Sequence, residues 1–367
     1  MGFPNSGGAS PIRNSPVLMT VFAESGMFIV PAGAYRVRAY VLGGGGSGGA
    51  VYHASSVSKA TGGAGAGFSI GDLNVTPGQT IPVTVGAGGS GSTGGDGVSG
   101  GTSQFLSIQA TGGAGGLKNS NSTATLMGAV PGVGSGGSIC NYVGGASGSI
   151  LSTMSSQGAY ALTTGGGSAA SFKGNGFPSG TVQSSVTTSA HTGGGGVGGK
   201  SGDLTSVGGS CGGGSGGPSA DNTAAIGGIG VGLMGRPSLA TALDVGVADS
   251  AASVMSTING ITSGVSNPGI YGIYTPVSQN PLLALSGSGG KASGSAASFA
   301  GSGGGGGGQG GCSGGTCGGG GGSAGTSASP GTMGLGGRGA GSGGCAHTAA
   351  NYGGKGGDGM VVVEWVL

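Results

Sequence analysis

The sequence predicts a mainly β protein with much irregular backbone: a small β-sandwich that carries a large glycine-rich body as an insertion. Three observations lead there. Residues 35–42 (YRVRAYVL) alternate as a strand and then run into Gly43-Gly44-Gly45-Gly46. Glycine accounts for 103 of 367 residues and recurs in runs along most of the chain. The last nine residues, 359–367 (GMVVVEWVL), alternate again, far from the other strand-like segments.

In chain order, residues 1–16 form a polar arm rich in Pro, Ser, Asn and Gly, expected to be flexible or to serve for attachment. Residues 17–117 are expected to build the β frame with glycine loops. Residues 17–23 and 27–30 are short apolar runs separated by Ser25-Gly26, and Pro31-Ala32-Gly33 turns the chain into the 35–42 strand. That strand places Tyr35, Val37, Ala39 and Val41 on one face and Arg36, Arg38, Tyr40 and Leu42 on the other. Residues 68–75 read as a strand interrupted by a bulge or turn at Gly71-Asp72. Thr76-Pro77-Gly78-Gln79 is a turn, Ile81, Val83 and Val85 alternate, and residues 105–109 alternate once more. The closing strand, 359–367, puts Val361, Val363, Trp365 and Leu367 on one face. Alone it would be an aggregation-prone edge. It is therefore expected to pair with the N-terminal sheet, with Trp365 in the seam and Glu364 opposite Arg36 or Arg38, a cross-strand pair worth about 0.2–1 kcal/mol.

Residues 118–358 are the glycine-rich body. Glycine and proline make up about a third of the chain, a composition usually read as disorder. Only 5% of residues are charged, the net charge is +2 and the mean hydropathy is +0.21, which removes the means by which disordered chains stay in water. Each glycine costs about 0.5–1 kcal/mol more than alanine to order in regular structure. An ordered body must recover this through dense backbone bonding, as a polyglycine-II bundle does: three residues per turn, about 3.1 Å rise, and no side chain between neighbours. Tandem β turns are the alternative. Glycine runs at 193–196, 212–214, 303–308 and 318–322 would be bundle segments, and the stretches between them capping loops. Within the body, 237–261 carries Leu239, Leu243 and Val247 at helical spacing, and 267–285 reads as a large exposed loop.

Motif matches each have a plain structural reading. Residues 194–201 (GGGVGGKS) satisfy the phosphate-loop pattern but lack the strand before and the helix after that would give it function. Residues 353–361 (GGKGGDGMV) satisfy a calcium-binding nonapeptide that works only in tandem copies, and one copy reads as a turn. Cys312, Cys317, Cys345 and His347 have unusual spacing for zinc, and the five cysteines read as small residues packed among glycines. His53, His191 and His347 have no acidic neighbour in sequence. No enzyme, cofactor or metal is expected. The eleven basic residues are scattered, which argues against nucleic acid, and no apolar stretch of about 18 residues predicts membrane insertion.

Residues 28–46 (FIVPAGAYRVRAYVLGGGG), 76–89 (TPGQTIPVTVGAGG), 100–116 (GGTSQFLSIQATGGAGG) and 353–365 (GGKGGDGMVVVEW) together resemble glycine-rich domains of bacteriophage tail-fibre and virion adhesion proteins. The resemblance implies a virion protein, in the tail or fibre, made in the host cytoplasm. It would display loops that bind a bacterial surface receptor, a glycan or an outer-membrane protein, and would contact other virion proteins. A purely structural fibre or decoration protein is the alternative, and an ice-binding role is disfavoured by the irregular spacing. Tyr271 and Tyr274, then Tyr142 and Tyr160, are the expected receptor contacts, because loop aromatics give contact area at low entropic cost; packing as caps on the bundle is the competing reading. Fibres of this class are commonly trimeric, so a homotrimer is one expected assembly, beside a monomer closed by its own last strand.

Overall fold

The structure is a computed structural model that describes residues 17–52, 57–120, 123–153, 160–184, 189–196, 201, 203–204, 282, 319–320, 323–325, 336–347 and 353–366. Its strands are β1 (Val17–Phe22), β2 (Gly26–Ile29), β3 (Arg36–Leu42), β4 (Ala50–Tyr52), β5 (Ser58–Ala60), β6 (Phe68–Asn74), β7 (Thr80–Thr84), β8 (Ser103–Phe105) and β9 (Ile108–Ala110). They continue with β10 (Lys118–Asn119), β11 (Gly134–Ser135), β12 (Cys140–Tyr142), β13 (Ala161–Thr163), β14 (Ala190–His191), β15 (Ser323–Gly325), β16 (Cys345–His347) and β17 (Met360–Val366). The fold is mainly β with long irregular segments, and no helix occurs among the described residues.

Two five-stranded antiparallel sheets, ordered β1-β17-β3-β6-β12 and β11-β9-β8-β7-β2, make the sandwich. The last strand does return to the first sheet: β17 lies between β1 and β3, with Val17 opposite Val366 and Leu42 opposite Met360. Alternation fixes what faces what. Val37, Ala39 and Val41, with Val361 and Val363, meet Phe28, Ile81, Val83, Phe105 and Ile108 in the buried core, and Trp365 packs against it. The other face of the first sheet buries Tyr40, Leu42, Phe68, Ile70, Met360 and Val362 against Ala169, Ala170, Leu282 and Ala340.

Two local expectations change. Gly71-Asp72 forms no bulge: β3 and β6 pair without interruption from Arg36 opposite Asn74 to Leu42 opposite Phe68. Gly71 is there because the sheets approach closely, and a Cβ would press on Ile108 Cδ1 and the Ser138 amide. β4 and β5, not predicted, sit beside glycine runs. β5 joins β10, β13 and β14, and β4 joins β16 and β15 in an all-parallel sheet. The helical spacing at 237–261 and the loop 267–281 lie outside the described residues.

The frame strands continue directly into glycine segments, and these form a lattice. Residues 43–50 show its rule. The amides of Gly43, Gly46 and Gly49 donate to the carbonyls of Gly67, Ala64 and Thr61; those of Gly44, Ser47 and Ala50 donate to Gly101, Val98 and Gly95; those of Gly45 and Gly48 donate to Gly357 and Gly354. Every third residue addresses the same neighbour, which is the three-residue period of polyglycine II. The partner numbers fall as the chain advances, so these three neighbours run antiparallel. The carbonyls turn to three further segments. Gly44 and Ser47 accept from Gly113 and Gly116, Gly46 and Gly49 from Ser342 and Cys345, and Gly45 and Gly48 from the Gly89 amide and the Ser92 hydroxyl. Here the numbers rise together, so these neighbours are parallel. Residues 43–50 are thus enclosed on all sides and wholly buried. Glycine segments from residues 43–117 and from beyond 118 enter one and the same lattice. At the end of the lattice away from the frame, its segments finish in Ile150, Leu162, Val182 and Leu204, which pack together with Val57 and Leu126 as a second apolar core.

Lys59, on β5, is the one fully buried lysine among the described residues; its ammonium donates to the carbonyls of Ala124 and Ser152 (2.5 and 2.8 Å). Burial pushes its pKa below the usual 10.5. The folded protein therefore releases this proton at lower pH than the unfolded chain does. The penalty of burying the charge is fully present below the folded pKa and is removed as pH rises toward 10.5. Relative to Lys59→Met, the parent is expected to gain stability as pH rises through that window, read as denaturation midpoints. A parent-minus-variant difference that stays flat with pH would contradict it.

Candidate functional site

The charged face of the sandwich is built by strand register. Arg38 lies opposite Glu364 on β17 on one side and opposite Asp72 on β6 on the other. Its guanidinium forks onto Asp72, with Nε donating to Oδ1 at 2.8 Å and an Nη donating to Oδ2 at 3.1 Å; Arg36 donates to Oδ2 at 2.8 Å. Hydrogen bonding from Arg38 leads in holding the Asp72 carboxyl below its ordinary pKa, and the charges of both arginines add to it. The Asp72 bond likewise raises the Arg38 pKa. The Glu364 carboxylate accepts the Tyr40 hydroxyl at 2.8 Å; burial first, then this bond, pushes the Tyr40 phenol up to about 12. The arginine pair therefore gathers on Asp72, the residue expected to lie in a bulge or turn. Both arginine side chains remain well exposed, so these ion pairs are worth at most about 1 kcal/mol.

These residues border a shallow groove of about 500 Å³ at the open end of the sandwich, with Val17, Tyr35, Trp365 and Val366. Trp365 lies on its inner side, its ring 5.5 Å from that of Phe28, and its indole N–H is buried without an acceptor. Arg36, Arg38, Glu364 and Trp365 are thus brought together by the closing strand.

The tyrosines are placed differently. Tyr142 ends β12, opposite Phe68, half-buried against the apolar cluster on the outer face of the first sheet. Tyr160 is half-buried on the far apolar core, and its carbonyl accepts the Ser58 amide. Both take the packing position. Tyr271 and Tyr274 lie outside the described residues.

The described residues of the motif matches sit in the lattice or in packing. The Gly195 amide donates to the Gly166 carbonyl, so it does not face a phosphate. Asp358 accepts the Gly88 amide (2.8 Å) and pairs with Lys355 (3.0 Å); burial opposes its charge, but the bonds from Gly88 and Lys355 prevail and its pKa is lowered. His191 is buried, with Nδ1 at 3.0 Å from the Thr163 hydroxyl. Cys345 is buried in β16, while Cys312, Cys317 and His53 lie outside the described residues. Among the described residues no group of three or more His, Cys, Asp or Glu is placed to hold a metal ion, and no helix is long and apolar enough to cross a membrane.

What the composition does not single out is a set of buried hydroxyls. Thr164, Ser179, Thr192 and Ser342 each accept an amide from one glycine segment and donate to a carbonyl of another. Their only sequence signal is a Ser or Thr next to glycine, at a run of glycines for Thr164, Thr192 and Ser342 and at the single Gly180 for Ser179.

Comparison with known proteins adds a family model, described as a glycine-rich domain, that matches residues 22–240. No curated protein matches the chain.

Proposed function

This chain belongs to the glycine-rich domain family, and from that premise we propose that it is a bacteriophage virion protein, of the tail fibre or tail tip, which displays loops for host-surface receptor binding. The observation that carries the reading is the enclosed segment at residues 43–50, whose amides, together with the carbonyls of Gly44 to Gly49, are bonded to neighbouring segments. A body held by backbone bonds does not depend on the side chains of the loops between its segments. Those loops can vary freely, which suits recognition. The receptor is a bacterial glycan or outer-membrane protein, and other virion proteins hold the chain in place; the role is structural and binding, without catalysis.

A polarity follows from the same geometry. Val17 and Val366 stand together at the frame end, and the apolar core around Ile150 and Leu204 closes the other. Mounting belongs to the frame end and recognition to the far loops; Tyr271 and Tyr274, the proposed receptor contacts, lie outside the described residues. The packed positions of Tyr142 and Tyr160 favour a second reading for those two residues, that of a purely structural component.

Fluorescently labelled full-length protein is expected to decorate the host among a panel of bacteria. The double substitution Tyr271→Ala, Tyr274→Ala is expected to lower the bound signal at least about tenfold, as loss of two aromatic anchors should. Absence of decoration across hosts that the virus infects would leave only the structural reading.

A further inference from the structure

We propose that the sandwich edge formed by β1 and β2 is a two-fold interface with a second copy of this chain. β1 and β2 are the terminal strands of the two sheets on the same side of the sandwich, and the rings of Phe22 and Phe28 touch across them at 6.5 Å. The opposite side of the sandwich ends on β12 and β11, of three and two residues. Short strands are one of the ways a sheet blunts its edge; lysines, prolines and bulges are others. β1 uses none of these. It is six residues long, VLMTVF, without charge or proline, and β2, GMFI, is the same in kind.

The side chains along this edge are also the wrong ones for water. Val17, Val21, Met27 and Ile29 are 64%, 40%, 64% and 65% exposed. A row of open backbone donors and acceptors flanked by apolar side chains on two sheets at once is suited to pairing with another strand edge.

The occupant is a second copy because the edge complements itself. A two-fold axis normal to the sheets keeps inner faces on the inside, so residues of like face must oppose each other. Leu18, Thr20 and Phe22 lie opposite Trp365, Val363 and Val361 on the core side. Antiparallel pairing about Thr20 then sets Leu18 against the second copy's Phe22 and Met19 against its Val21. Apolar side chains meet on either side of the axis, Thr20 meets its own copy on it, and β1 brings no charges together. The same axis pairs β2 with its copy, so both sheets become continuous. The arrangement also closes on itself, because each copy's remaining edge is the blunted one.

The experiment is the mass of the full chain in solution, by light scattering and sedimentation equilibrium across the micromolar range. The expected result is twice the chain mass of 33.2 kDa. The pair Val21→Lys, Met27→Lys is expected to give a monomer with an unchanged circular dichroism spectrum, whereas Ile139→Lys, near the blunted edge, leaves the dimer intact. A monomeric or trimeric parent overturns the proposal. So does a dimer that survives the two lysines. If the double variant fails to fold, the single Met27→Lys at an exposed position serves in its place and is held to the same two outcomes.

Discussion

Replacing Gly45 by alanine is expected to destabilise the protein by more than about 4 kcal/mol, a loss reserved for severe core defects, whereas the same change at Gly95 is expected to be silent. The two glycines sit on neighbouring lattice segments, Gly45 buried within its segment and Gly95 at a part-exposed bend. A Cβ on Gly45 would fall inside the van der Waals shell of the Ala340 carbonyl; one on Gly95 would have nothing within 4 Å. Overpacking a side-chain core usually costs about 1–3 kcal/mol because side chains rotate away. Here the obstacle is backbone. Moving it separates residues 336–345 from residues 43–50, and with them the bonds from Ser342 to Gly46 and from Cys345 to Gly49. At Gly95, alanine restricts the unfolded chain without native strain, so stability is expected to hold or to rise by up to about 1 kcal/mol. Urea denaturation reads both, and amide exchange over residues 43–50 should show protection collapsing in Gly45→Ala alone. A Gly45→Ala protein as stable as its parent would mean that the segments are not in backbone contact.

The frame was legible because it obeys familiar periodicities. Val37, Ala39 and Val41 alternate against Arg36, Arg38 and Tyr40, and the pattern of β17 announces a strand in need of a sheet. Register was not legible to the same degree. Glycine at position 71 looks like a break, and only the proximity of Ile108 explains it, a contact between residues far apart in sequence. Asp72 therefore reads as part of a bulge or turn, and the arginines are set opposite Glu364 rather than on the carboxylate that accepts from both. The lattice was legible as a type but not as an arrangement. Glycine carries no side chain by which one segment can recognise another, so nothing in GGGGSGG says that Gly45 will meet Gly357 and Gly46 will meet Ala64. That information resides in the strands to which the segments are joined. β3 paired with β17 and β6 delivers residues 43–50 beside 353–359 and 61–67 already in register. The frame thus acts as the template of the lattice, which is why the closing strand must return to it.

Away from the frame a second device has to hold register, and the buried hydroxyls supply it. The Gly62 amide donates to Thr164 Oγ1 at 3.2 Å, which donates to the Gly148 carbonyl at 2.9 Å. The Gly148 amide passes through Ser179 to the Gly165 carbonyl, and the Gly165 amide passes through Thr192 to the Gly180 carbonyl. The three hydroxyls form one chain across successive segments, each completing a bond that two glycines cannot close directly. Thr164→Val keeps shape and volume but leaves the Gly62 amide and the Gly148 carbonyl buried without this partner. At about 1–3 kcal/mol for each orphaned group, the expected loss is about 2–6 kcal/mol. Thr164→Ser, which restores the hydroxyl, should recover most of it, and Thr84→Val, at an exposed position on β7, should stay within about 0.5 kcal/mol of the parent. Combining Thr164→Val with Thr192→Val tests the chain itself. Independent sites would add, whereas members of one network cost less together than the sum of the two alone, because the second break falls on segments already loosened by the first. Strict additivity in chemical denaturation would reduce the chain to separate bonds, and a Thr164→Val protein of parental stability would remove the hydroxyls from the account of what holds the lattice in register.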